Sequence, residues 1–263
     1  MPAPRYKVLE FDRLQMYFGK PYTIDLQDTE GSITIKIPTL KDLIEIGEKK
    51  FFSTLNIFTT NTTQYRLMLN TVGKDWNETS DFELWLMLIG TAQKEVIDLF
   101  FDGIDFSNFQ MYEKTLGETT QIVLYDKENK IEINEEVYQY IHQYFQVAFN
   151  MKPEEEFTKD PMLKKWWIKK DQREAERTKE KEEKGENKSS SIQALISACV
   201  NHPGFKYKLN ELEEINLCQF YDSVKRLQIY ESTNSIMHGM YATLGLGGCK
   251  NLKPDDYNFM KEI

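Results

Sequence analysis

Three histidines, three cysteines, one glycine-rich run and one Asp/Asp/Ser group are the residues of this chain whose types could do chemistry. Their spacing limits each of them. His142, His202 and His238 are scattered, and His142 has Tyr138 and Gln146 one helical turn to either side, with no second histidine or carboxylate at metal-ligand spacing. It is expected to be a hydrogen-bonded structural histidine. Asp102, Asp105 and Ser107 alternate as the first ligands of a calcium loop do, but no glutamate follows at the closing position. Gly245, Gly247, Gly248 and Lys250 have the look of a phosphate loop, yet the run follows a predicted helix and lacks the Gly-x-x-x-x-Gly-Lys-Ser/Thr spacing. A helix cap and turn is the expectation there. Cys199 and Cys218 lie among apolar neighbours on predicted helices, which favours inert packing over nucleophilic chemistry. No catalytic, cofactor-binding or metal-ligating residue is assigned.

A different kind of chemistry, recognition, is offered by Trp166 and Trp167, flanked by Lys164, Lys165, Lys169 and Lys170. Adjacent residues on a helix point about 100° apart, so one narrow stripe cannot bury both rings. Tryptophan is enriched among residues that dominate interfaces, which makes this pair a candidate partner-binding site. Packing of Met162, Leu163, Trp166 and Trp167 onto the preceding domain is an equally weighted alternative. Stacking on nucleic-acid bases is disfavoured, because the charges beyond Arg177 become mixed in sign. Phe205 and Tyr207, in the run NHPGFKYK, join the tryptophans as candidate partner-binding residues.

These residues must be positioned by the elements around them. Residues 21–37 read as a β-hairpin turning at DTEG, with Ile33, Ile35 and Ile37 alternating against polar neighbours. Thr39 and Asp42 open a helix expected through Glu48, and Tyr65, Met68, Leu69 and Val72 mark another over Asn61–Val72, closed by Gly73. Ser80 and Glu83 form the cleaner capping box, at the head of an apolar helix carrying Phe82, Trp85 and Ile89. Short strands follow at roughly 106–112, 120–125 and 130–133, with DKEN as a hairpin turn, and Asn134 caps a helix striped by Val137, Ile141, Tyr144, Phe145 and Ala148. Towards the C-terminus, 191–200 is helical and is stopped by Pro203-Gly204. A long helix starts near Asn216, kinks or divides at Ser232–Ser235, and is followed by a last helix near Pro254.

Between these parts lies a run in which nearly every residue is charged or polar, KKWWIKKDQREAERTKEKEEKGENK, over 164–188. Such a stretch buries too little apolar surface to offset its ordering entropy. The expected fold is therefore α+β: a mostly helical N-terminal domain with short antiparallel hairpins over 1–153, a charged helical or flexible linker over 154–190, and a small all-α domain over 191–263. Residues 1–150 carry 14 Lys and Arg against 23 Asp and Glu, an acidic surface that disfavours a phosphate backbone as partner. No apolar run reaches the roughly 20 residues of a membrane span. The opening MPAPRYKVLEFDRL lacks a basic-then-apolar signal pattern, and three cysteines without Cys-x-x-Cys spacing fit reduced thiols in a cytoplasm.

The blocks TTNTTQYRLMLNTVGKDWNETSDFELWLMLIG (59–90) and NHPGFKYKLNELEEINLCQFYDSVKRLQIYE (201–231) resemble a family of proteins encoded by tailed bacteriophages of Gram-positive hosts, with the same order of larger domain, Lys/Glu-rich connector and helical tail domain. The resemblance covers most of the chain and implies a role in tail morphogenesis. It carries no catalytic residue and no cofactor. The function it implies is that of a non-enzymatic tail or baseplate assembly protein, chaperone-like, which binds phage structural proteins in the host bacterial cytoplasm. The alternatives are a structural component retained in the virion and, from a different class, a phage enzyme or nucleic-acid-processing accessory factor. Self-association into a homo-oligomer is left open.

Overall fold

The computed structural model describes residues 6–26, 31–116, 119–184 and 191–242, together with Lys253 and Asn258. Asp12 caps α1 (Arg13–Tyr17) by accepting the Leu14 and Gln15 amides. The expected hairpin follows as β1 (Tyr22–Asp25) and β2 (Ser32–Ile35), antiparallel with Ile24 opposite Ile33. Most of its DTEG turn lies outside the described residues. The helix opened at Thr39 and expected through Glu48 ends as α2 (Leu40–Ile46) at Gly47, whose φ of +93° is open to glycine and strained for other residues, and α3 (Glu48–Thr59), which was not expected, starts directly after it. Of the two capping boxes, the one at Thr39 and Asp42 closes in both directions, while Ser80 accepts the Glu83 amide at the head of its helix.

The helix expected over Asn61–Val72 is shorter, α4 (Arg66–Thr71), because Asn61, Thr62 and Thr63 are buried in a turn where their side chains and amides bond to other segments. Such residues favour local bonding over helix interiors. Then come α5 (Asp81–Leu88) and α6 (Lys94–Phe100). A three-stranded antiparallel sheet follows, β3 (Phe109–Leu116), β4 (Thr119–Asp126) and β5 (Ile131–Ile133), in the order β3-β4-β5. The β4–β5 turn is built on buried Asp126, which accepts the Glu128 and Asn129 amides at 2.9 and 3.2 Å. Asn134 caps α7 (Glu135–Ala148), as expected, by accepting the Val137 amide.

The centre of the core is aromatic. Phe58 of α3, Phe100 of α6 and Phe145 of α7 meet with ring centroids 5.0–6.1 Å apart, and Phe51 and Phe149 extend the group. Trp85 of α5 is fully buried against Phe82 at 5.8 Å and Tyr138 at 5.2 Å.

The expected linker holds α8 (Pro161–Glu183), and after it come α9 (Ser191–Val200), α10 (Leu209–Leu212) and α11 (Leu217–Ala242). The helix α11 runs through Ser232–Ser235 as one element, with Thr233 buried, so the expected division there is corrected. The expected glycine-rich turn at 245–250 and the helix from Pro254 lie outside the described residues. Separation of the 191–263 part into its own domain is not confirmed. Leu212, Leu217 and Phe220 belong to the same apolar cluster as α2 and α3, and the Leu217 and Leu40 amides donate to Pro38 O and Ile215 O at 2.9 and 3.0 Å. Asn216 adds a bond to Tyr17 O at 2.9 Å, and this brings its amide so close to Gly19 that a Cβ there would stand 3.0 Å away.

Replacing Trp85 by alanine removes the largest ring of this packing and should cost about 3–5 kcal/mol of unfolding free energy. Thermal and denaturant melts of W85A measure it; an unchanged midpoint would contradict the packing described.

Candidate partner-binding site

Arg66 is the one Lys or Arg buried among the described residues, 6% exposed. A guanidinium at such a position has to be matched by carboxylates, because desolvating it unpaired costs several kcal/mol. Two distant acids supply the match. Arg66 donates hydrogen bonds from Nε and Nη2 to the two carboxylate oxygens of Asp171 of α8, the second at 2.7 Å, and from Nη1 to Glu156 Oε2. Burial alone would lower the Arg66 pKa, but the hydrogen bonds to Asp171 and Glu156 outweigh it and the net displacement is upward.

Around this clasp the chain from Pro153 to Thr158 is held by its main chain. Asn61 Nδ2 donates to Glu154 O at 3.1 Å, Trp76 Nε1 to Glu156 O at 3.0 Å, and Asn77 Nδ2 to Thr158 O at 2.6 Å; the Glu156 amide donates to Thr63 Oγ1 at 3.1 Å. Asp160 then caps α8 with Pro161 at its first position, where the missing N–H is not needed. Trp167 packs on Trp76 with centroids 6.3 Å apart, and the Arg66 guanidinium lies 5.3 Å from the centre of the Trp167 ring. Lys164 pairs with Asp75 and sits 5.5 Å over Trp76. Burial would raise the Asp75 carboxyl, but the bonds from Lys164 and the Asn77 amide hold it below its ordinary value.

Lys164, Trp167, Ile168 and Asp171 thus form the docked stripe of α8. Its opposite side carries Met162, 81% exposed, and Trp166, 59% exposed, with Lys165, Lys169 and Arg173 exposed beside them. The two tryptophans divide the two sequence readings between them, Trp167 packing and Trp166 facing outward. Phe205 and Tyr207 lie elsewhere, between α9 and α10. Their rings meet at 5.6 Å, and both are half-buried. The anchor residues Arg66, Trp76, Glu156 and Asp171 were missed in the sequence. The one signal available was an arginine on the apolar face of a short helix.

The other chemistry-bearing residues have structural partners. His142 is buried, and Gln146 Nε2 donates to its Nε2 at 2.9 Å, so Nδ1 carries the proton and donates a hydrogen bond to Phe58 O at 2.7 Å. Burial pushes its pKa down to about 4. Burial likewise raises the Cys218 thiol to about 11, leaving little thiolate at neutral pH. Asp105 accepts the Ser107 amide and pairs with Lys94, while Asp102 pairs with Lys36. No protein-family model, curated protein or solved structure matches this chain.

The clasp predicts where proteases reach. Trypsin should cut the folded protein in the part of α8 beyond Asp171, between Arg173 and Lys184. In an Arg66→Ala variant, which loses about 3 kcal/mol of anchoring, cuts at Lys164, Lys165, Lys169 and Lys170 should appear as well. Identical digestion of the two proteins would show that the clasp does not hold α8.

Proposed function

We propose that this chain is a non-enzymatic assembly factor of a bacteriophage tail or baseplate, which engages structural proteins of the particle through the Met162–Trp166 face of α8. The observation that carries the reading is an exposed tryptophan and methionine on a helix whose other side is anchored. A docked helix has lost much of its freedom already, so association through it has less entropy to overcome than association through a loose arm. Trp166 brings a large apolar ring with one N–H donor, the type of side chain that dominates interface energies. Lys165, Lys169 and Arg173 beside it suit an acidic rim on the partner.

The phage setting rests on the resemblance of the 59–90 and 201–231 blocks. The host bacterial cytoplasm is the proposed compartment, and no helix among the described residues is long and apolar enough to cross a membrane.

Two single substitutions separate presentation from packing. Trp166→Ala should leave the melting temperature near that of the parent, since its ring is mostly solvated, yet abolish recovery of tail proteins when the tagged chain is purified from infected cells. Trp167→Ala should do the reverse first, loosening α8 by about 2–4 kcal/mol of lost packing. Undiminished recovery with Trp166→Ala would refute the assignment.

A further inference from the structure

Among the described residues β3 bonds to β4 alone, and no loop bond or isolated bridge reaches residues 109–116 from any other segment. Its outer row of N–H and C=O groups is therefore open to another strand. Edge strands are ordinarily kept from pairing by shortness, a proline, a bulge or an outward-held lysine. The strand β3 has eight residues and no proline, and its pairing with β4 runs in unbroken register from Phe109 opposite Asp126 to Leu116 opposite Thr119. Its one lysine, Lys114, is drawn across the sheet to Glu132 of β5 at 2.8 Å. Met111 and Tyr112 on this edge and Ile122 behind it are exposed, 64%, 45% and 42%.

The residues of β3 fit its own copy. Two identical strands pair antiparallel about a two-fold axis, and residues facing each other must lie on the same face of the sheet, so the residue on the axis faces itself. Two such registers keep seven of the eight residues paired. The one centred on Glu113 sets like charges directly opposite, which is unfavourable. The one centred on Tyr112 sets tyrosine against tyrosine, Met111 against the partner's Glu113 and Gln110 against the partner's Lys114, and no like charges face. Tyr112 lies opposite buried Val123 within its own sheet, so this register lays a continuous apolar row of valine, two tyrosines and valine across both copies. Aromatic pairs and aromatic pairs with β-branched residues are the favourable cross-strand contacts. The strand carries one Glu and one Lys in an otherwise acidic N-terminal part, so two copies meet here without the repulsion between their net charges being concentrated at the contact.

We propose that β3 pairs with β3 of a second copy about a two-fold axis at Tyr112, joining two three-stranded sheets into one of six in the order β5-β4-β3-β3-β4-β5. Six strands is an ordinary sheet size, and the pairing removes the open edge. A contact of this length is small, which makes the dimer a weak, concentration-dependent one. The surface is separate from the Trp166 face and does not depend on it, and each dimer carries two such faces.

Sedimentation velocity of the full chain from about 1 µM to about 300 µM should show a reversible equilibrium between monomer and dimer. Tyr112→Lys and Tyr112→Glu alter an exposed ring, so each should keep the parent's circular dichroism and melting profile. Each should raise the dimer dissociation constant at least about tenfold, because the axis sets like charge against like. Mixed in equal amounts, the two variants should recover the dimer, since lysine then faces glutamate; a merely structural role for Tyr112 would give no such recovery. Trp166→Ala should dimerise as the parent does. A parent that stays monomeric throughout would overturn the proposal and leave the edge to a strand of another protein. Variants that dimerise as the parent does, a mixture no more dimeric than either variant alone, or loss of the dimer in Trp166→Ala would overturn it equally.

Discussion

A buried guanidinium has to be matched by carboxylates, and that requirement organises one side of this protein. Arg66 stands in a short helix with its side chain turned inward, and its two acids come from 90 and 105 residues further along the chain. Satisfying it fixes where the chain leaves the core at Glu156 and where α8 lies at Asp171. The indole pair Trp76–Trp167 and the Lys164–Asp75 pair act on the same stripe, so one placement of α8 satisfies all of them. The outward direction of Trp166, one residue before Trp167, is a geometric consequence of the docking of its neighbour.

Acidic solution should work against this arrangement from the carboxylate side. The Asp75 carboxyl is held below its ordinary value in the folded chain, so its contribution is present above the ordinary carboxylate pKa and is lost as pH falls through the folded one. His142 adds to the same trend. It is neutral when folded, with a pKa lowered to about 4 from 6.5, so between those values the unfolded chain takes up the proton that the folded chain refuses.

Much of the scaffold was legible in the residues. Alternation at Ile33 and Ile35, the Asn134 cap with its apolar stripe and the apolar run around Trp85 are local patterns, and each became the element expected. Two failures share a physical cause: the polar run Asn61–Thr63 is consumed by tertiary hydrogen bonds, and α8 is docked by residues far away in sequence. The helix α2 stops for a local reason, the backbone angle of Gly47. Composition marks 164–188 as poor in apolar surface to bury, and the side chains from Gln172 to Lys184 are exposed. The first half differs because a few well-placed contacts, Trp167 and Asp171 above all, outweigh the average character of the run. Of the candidate site, Trp166 and Trp167 were found by residue type, while the anchor that separates their roles was not.

Amide hydrogen exchange along α8 tests the central claim most directly, because it reads local opening within one helix. If the Arg66 clasp holds the helix to the body, the amides of residues 165–171 should exchange at least about tenfold more slowly than those of 175–183, which have the same helical hydrogen bonding but no docked stripe. Equal exchange in the two halves would contradict the account, leaving α8 a free charged helix and Trp166 without a fixed direction.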